Sequence, residues 1–148
     1  VYSWGRNTYG QLGVGDHRDR HTPQLVSYLQ GDSIVMVAAG AHHSAAVTIG
    51  GEVYCWGHNS DRQLGIPDAM DRVLPSLVSG LPSGELVATV AAGGFHTLAA
   101  TRSGAVYAWG LNSYGQLGIS SDKAGKASQN VGAAPARVPV AVNEKGGS

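Results

Sequence analysis

The sequence predicts an all-β chain built from repeated four-stranded antiparallel sheets. Three observations predict it. Nearly the same ten residues occur three times: WGRNTYGQLG at 4–13, WGHNSDRQLG at 56–65 and WGLNSYGQLG at 109–118. Short runs of small, β-branched and aromatic residues precede them, bounded by Gly-rich turn signals. No segment carries a sustained apolar stripe of 3.6-residue period.

Each element follows in order. VYSW at 1–4 is a short apolar strand leading into the first GQLG corner, and PQLV from 23 is the next strand. IVMVAAGAHH from 34, HSAAVTIGG from 43, EVYCW from 52 and PSLV from 75 then give four strands in one unit. LVATVAAGGFH from 86, HTLAATRSG from 96, AVYAW from 105 and PARVPVAV from 135 repeat them. Gly50-Gly51 and Ser103-Gly104 are hairpin-turn signals. The Pro introducing each fourth strand marks an edge, where its missing N–H is tolerated. Trp4, Trp56 and Trp109 recur 52 and 53 residues apart, so the chain 1–148 reads as one repeat domain. Its units are 1–33 (partial), 34–85 and 86–148.

A four-stranded sheet with two apolar faces cannot bury both alone. Stacking copies around an axis buries them, which is the logic of a β-propeller. The small residues of VAAG suit the strand nearest that axis, where sheets crowd. The shared residues then build the scaffold. Trp4, Trp56 and Trp109 are expected as large buried wedges. Gly5, Gly57 and Gly110 permit positive φ or close approach, and Asn7, Asn59 and Asn112 bond a turn's own backbone. Leu12, Leu64 and Leu117 are inward anchors, with Gly13, Gly65 and Gly118 closing each corner.

The ordered set VAAGxxH, HTLAxTxxG, VYxWGxNxxGQLG and Pro-x-x-Val resembles the repeat of the regulator of chromosome condensation family. The likeness covers residues 1–118 and the Pro135 strand. It implies a seven-bladed propeller of four-stranded blades. Three WGxN segments stand against two AAG strands, so the chain holds about two and a half repeats. It opens on VYSWG without an initiator Met. The expectation is a piece of a longer propeller, or a partial propeller whose copies assemble into a ring, because two open apolar flanks are rare on stable monomers.

Composition narrows the function. The chain is 43% hydrophobic and 14% charged, with 22 glycines. Ten Lys and Arg balance ten Asp and Glu, so the basic footprint of a nucleic-acid binder is missing. Cys55 is the single cysteine, so no intrachain disulfide forms, and VYCWG places it as a small buried hydrophobe. With no glycosylation sequon either, the balance leans towards an intracellular location, cytoplasmic or nuclear. No apolar run approaches the ~20 residues of a membrane span.

Tests for chemistry return nothing. GQLGVG at 10–15 has the wrong glycine order for a dinucleotide loop. AGKAS at 124–128 lacks both the Gly at 120 and the Ser or Thr at 127 that a phosphate loop needs. His42, His43 and His96 occupy equivalent places and are expected to satisfy a turn. DHRDRH at 16–21 reads as a solvated loop rather than a metal site. No catalytic residue, metal ligand or cofactor is assigned, and the chain is read as a non-enzyme.

Function is therefore expected in the loops between each LG and the next Pro. They read VGDHRDRHT, IPDAMDRVL and ISSDKAGKASQNVGAA, the third carrying seven extra residues over 119–134. The leading reading is a protein–protein interaction scaffold. Candidate partner contacts are Tyr9, Arg18, Arg20, Arg72, Tyr114, Lys123 and Lys126. The alternative is guanine-nucleotide exchange on a small GTPase, implied by the resemblance. One family member combines exchange with histone contact, but no basic tail or patch here supports chromatin docking.

Overall fold

The structure is a computed structural model that describes residues 1–119 and 131–139, with the backbone alone for 131–133. Ten strands form among them, with one 3-10 turn at Ser27–Leu29. β1 (Tyr2–Gly5) pairs with β2 (Arg20–Leu25) in a two-stranded sheet. β3 (Ile34–Ala39), β4 (His43–Thr48), β5 (Val53–Gly57) and β6 (Arg72–Leu77) form a four-stranded sheet in that order. β7 (Val87–Ala92), β8 (His96–Thr101), β9 (Val106–Leu111) and β10 (Val131–Arg137) form another, again in chain order. Every pairing is antiparallel. The chain is thus all-β, as its sequence predicts.

The β4–β5 hairpin shows why these residues take these places. Thr48 accepts the Gly51 N–H at 2.9 Å, and Gly51 stands at φ 82°, where a side chain would be strained. A Cβ there would also lie 2.8 Å from the Leu86 backbone. β4 is a near-continuous apolar run because both its faces are covered. Ala46 packs with Trp56, Val26 and Leu29 towards the first sheet. Ala45 and Val47 join Val53, Cys55, Val87, Val90, Tyr107 and Trp109 towards the third. Burial pushes the Cys55 thiol pKa far up, so it behaves as a small hydrophobe.

β3 and β7 end their sheets on the side opposite β6 and β10, and β7 packs against β3 and β4. The backbones approach closely there. A Cβ on Gly40 would collide with the Gly93 carbonyl, and Ala41 N–H donates to that carbonyl at 3.3 Å. Small residues at AAG are what permit the contact.

Two expectations need correction. Pro23 and Pro75 do not introduce their strands but stand four residues into β2 and β6, and Pro135 lies inside β10. Each falls where the ladder register shifts, at Ser3/Gly5, Cys55/Gly57 and Gly132/Ala136. A bulge leaves a residue without a ladder bond, so the missing N–H is harmless there. Trp4 is not a buried wedge but 61% exposed, whereas Trp56 and Trp109 are buried. Each buried Trp is covered by the corner of the preceding unit, and no such corner exists for Trp4 among the described residues. Trp4 instead lines, with Tyr2, Val37, Gly40 and Trp56, a groove of about 560 Å³ beside the two-stranded sheet.

Candidate functional site

Antiparallel order puts the first-to-second strand turns and the third-to-fourth strand loops at one end of each sheet. The WGxN loops therefore share a face with the AAG-x-x-His turns, and ring contacts join them. Tyr9 lies 5.0 Å from His42 and 4.4 Å from His58, between ring centroids. Phe95 closes the group at 6.0 Å from His42 and 6.3 Å from His58.

Each loop is organised by its Asn. Asn7, Asn59 and Asn112 accept the N–H of Leu12, Leu64 and Leu117 at 3.0, 3.1 and 3.0 Å. Their amide groups donate onward to the carbonyls of Asp16, Asp68 and Ile119. The corner Gln accepts the N–H two residues before it in all three copies. Leu12, Leu64 and Leu117 point inward and are buried.

The final Gly of the corner serves the next unit. Trp56 Nε1 donates to Gln11 O and Trp109 Nε1 to Gln63 O, both at 2.9 Å. A Cβ on Gly13 would lie 2.7 Å from the Trp56 ring nitrogen, and one on Gly65 2.8 Å from that of Trp109. His43 works across the seam as well, rather than only on its own turn. His43 Nε2 meets Thr97 Oγ1 at 2.8 Å, and Thr97 Oγ1 donates to Gln63 O at 2.7 Å. Burial and the neighbouring histidines lower the His43 pKa to about 4, so its imidazole is neutral. His96, at the equivalent place, is lowered by burial as well.

The first two loops are not the free segments their sequences suggest. Asp19 accepts the Asn7 N–H and Asp71 the Asn59 N–H, each at 2.7 Å. Asp16 binds Arg20 at 2.7 Å, and Asp68 binds Arg72 at 2.6 Å. The side-chain bond from the Arg, then a backbone N–H, holds each of these carboxyls below its ordinary range. So Arg20 and Arg72 brace their own loops, and D-x-x-D-R is a repeated framework at 16–20 and 68–72. The signal lay in the sequence, at a fixed distance from Asn7 and Asn59. In the third copy the sequence has Ser121 and Ala124 at the spacings from Asn112 that carry the two carboxylates in the others.

Of the other expected contacts, Arg18 is exposed and Tyr114 is 92% exposed. Tyr9 joins the ring cluster, while Lys123 and Lys126 lie outside the described residues. Among the described residues no three His, Cys, Asp or Glu side chains could hold a metal ion. The carboxylates of DHRDRH are engaged in the brace instead.

This arrangement, stacked four-stranded blades locked by a Trp on the preceding corner, defines an RCC-type β-propeller repeat. The regulator of chromosome condensation (RCC1) repeat model matches residues 1–47, 50–100 and 103–147, and the chain belongs to that family. It is 48% identical over 118 residues to the ultraviolet-B receptor UVR8 of Arabidopsis thaliana, covering 80% of this chain and 27% of the receptor. It is 43% identical over 122 residues to the probable E3 ubiquitin-protein ligase HERC4 of Mus musculus, covering 82% of this chain and 11% of the ligase. The crystal structure of Prp20p from Saccharomyces cerevisiae, described with its binding to Gsp1p and histones, superposes with TM-score 0.79 at 25% identity. That match covers 96% of this chain and 34% of Prp20p. The chain thus spans about a quarter of the receptor's length and about a tenth of the ligase's.

Proposed function

We propose that this chain is a propeller segment that binds a protein partner through the face carrying the WGxN loops. The observation that carries the reading is the bracing of those loops. Asn, Gln, Asp and Arg side chains fix them from within. Pre-ordered loops lose little freedom on binding, which is how a rigid scaffold gains affinity. The likeness to Prp20p, described with its binding to Gsp1p and histones, supports a protein partner. The remaining blades come from a longer parent chain or from other copies.

Photo-crosslinking side chains placed at Thr8, Ser60 or Gly94 are expected to capture partner in cell extract. The same groups at Gly50 or Gly104, on the opposite face, are expected not to. Equal capture from both faces overturns the assignment. Exchange on a small GTPase is the second reading, favoured by the same Prp20p likeness. It predicts accelerated nucleotide release when the parent protein meets a GTPase panel, and no acceleration for any member rejects it.

A further inference from the structure

The three corner glutamines are not equivalent. Each accepts, through Oε1, the N–H two residues before it. Gln63 is fully buried, whereas Gln11 and Gln116 are half-buried. Burial requires the Gln63 amide nitrogen to find its partner inside the protein. Gln63 Nε2 lies 3.1 Å from His58 Nδ1, its one hydrogen-bond partner among the described residues. Five residues before the corner Gln, the first and third copies hold Arg6 and Leu111 where the second holds His58.

The contact fixes its own proton. Gln63 Oε1 is spent on the Asp61 N–H at 3.0 Å, so the amide cannot turn over without orphaning that donor. Its nitrogen has hydrogens only to give, so His58 Nδ1 accepts and the imidazole proton sits on Nε2. A second proton, taken from solvent, would go to Nδ1 and set donor against donor. No carboxylate lies within ion-pair distance of His58 among the described residues to favour that charge. Tyr9 of the first loop, His42 of the β3–β4 turn and Phe95 of the β7–β8 turn surround its ring at 4.4, 6.3 and 6.3 Å. Asp61, on the same loop, is bonded by the Ser60 hydroxyl at 2.9 Å. A charge on His58 also opposes one on His43, as charges on His42 and His96 do.

Gln63 carries the second seam as well. Its carbonyl accepts Trp109 Nε1 at 2.9 Å and Thr97 Oγ1 at 2.7 Å. A Cβ on Gly110 would stand 3.3 Å from its Cα, so the residue has little room to shift. His58 belongs to the first seam, where its N–H donates to His42 O at 2.9 Å and its ring lies against Tyr9. The pair thus joins one seam to the other. We infer that His58 and Gln63 form a pH-sensitive latch: a proton on His58 Nδ1 releases Gln63, and the second seam loosens at Trp109 while the first holds. The latch goes beyond the binding reading and is independent of the partner that the face takes.

Hydrogen exchange of the Trp indole N–H groups, followed by NMR on the whole chain, tests it. Protection factors, which divide out the intrinsic pH dependence of exchange, are compared at pH 7.5 and pH 5.5. An imidazole ordinarily gains its second proton near pH 6.5, whereas His43, at about 4, stays neutral across this window. Trp109 protection is expected to fall about tenfold, the size of one lost hydrogen bond to a buried group. Trp56 protection is expected to hold, which also shows that the chain remains folded. His58→Arg, the residue of the first copy, puts a permanent donor at the latch and is expected to give the low Trp109 value at both pH values. His58→Leu, the residue of the third copy, is expected to remove the response too. His42→Phe keeps a ring, removes the neighbouring imidazole and is expected to retain the response. Equal Trp109 protection at the two pH values in the unaltered chain overturns the inference. So does a response that survives His58→Arg or His58→Leu, or one that vanishes in His42→Phe. A parallel fall at Trp56 overturns it as well, because general loosening is not a latch. Crosslinking equal from both faces, by contrast, removes the binding face and leaves the latch standing.

Discussion

At the scale of single residues, the seam between units depends on atoms with no slack. His43 is the clearest case. Its Nε2 is engaged with Thr97, while Nδ1 is buried without a partner among the described residues. Protonation would place a second N–H where nothing accepts it. The folded pKa is about 4 against 6.5 unfolded, so the unfolded chain binds more protons between those values. Stability is therefore full above about pH 6.5 and falls as pH drops towards 4, by about 3 kcal/mol in total. Urea midpoints across that range are expected to show the slope. His43→Gln, which keeps a donor for Thr97, is expected to flatten it; an unchanged slope refutes the assignment. Gly65 is the second case. Its φ of 65° and the Trp109 ring leave no room for a methyl, so Gly65→Ala is expected to cost about 2–3 kcal/mol in chemical denaturation. Gly104→Ala, at φ 87° with open space around its Cβ, is expected to cost about half as much.

At the scale of elements, the strands were legible and the loops only partly so. The strands declared themselves through VAAG, HTLAAT and VYAW, because a pleated, buried ribbon restricts residue type at every second position or more. The Asn and Gln of the corners announced turns, since their side chains imitate backbone. The D-x-x-D-R brace was hidden. Its members look like solvated loop residues, and only the distance to Asn7 and Asn59 gives them a shared partner. The prediction at this scale concerns that brace. Asn59 is fully buried and satisfies the Leu64 N–H and the Asp68 carbonyl. Asn59→Ala orphans both and is expected to cost about 2–4 kcal/mol by thermal or urea melting. Arg72→Ala removes a solvent-screened pair and is expected to lower stability less than Asn59→Ala does. A larger loss for Arg72 than for Asn59 would invert this account of the loop. The ring cluster was also unreadable in sequence, because Tyr9, His42, His58 and Phe95 lie on four separate turns and meet only once the blades stack.

At the scale of the whole molecule, the first sheet leaves a flank open. Tyr2 and Trp4 on β1, and Val35 and Val37 on β3 of the neighbouring sheet, are all more than half exposed. Apolar surface of that kind associates or is covered. Sedimentation of the chain alone is expected to show concentration-dependent self-association, and a sharp monomer would refute this. Trp4→Ser is expected to weaken that association with little effect on the melting of the other two sheets. The same change at Trp109, fully buried against Gln63 and Gly65, is expected to unfold the chain. What the sequence could not show is which unit each Trp serves, since a motif written in one line of residues conceals that its halves belong to different contacts.

That division has a consequence for how such proteins change over generations. Trp56 and Trp109 each reach back to the corner of the unit before, so the joint has a direction and is the same at both seams described. A gene segment of one period can then be duplicated, deleted or exchanged with every joint intact, provided the cut spares the corner. Head-to-tail contacts of this kind close into rings or continue as open arrays. The Trp-on-Gly lock thereby makes the number of blades a matter of inheritance, while the surface of each blade remains free to diverge.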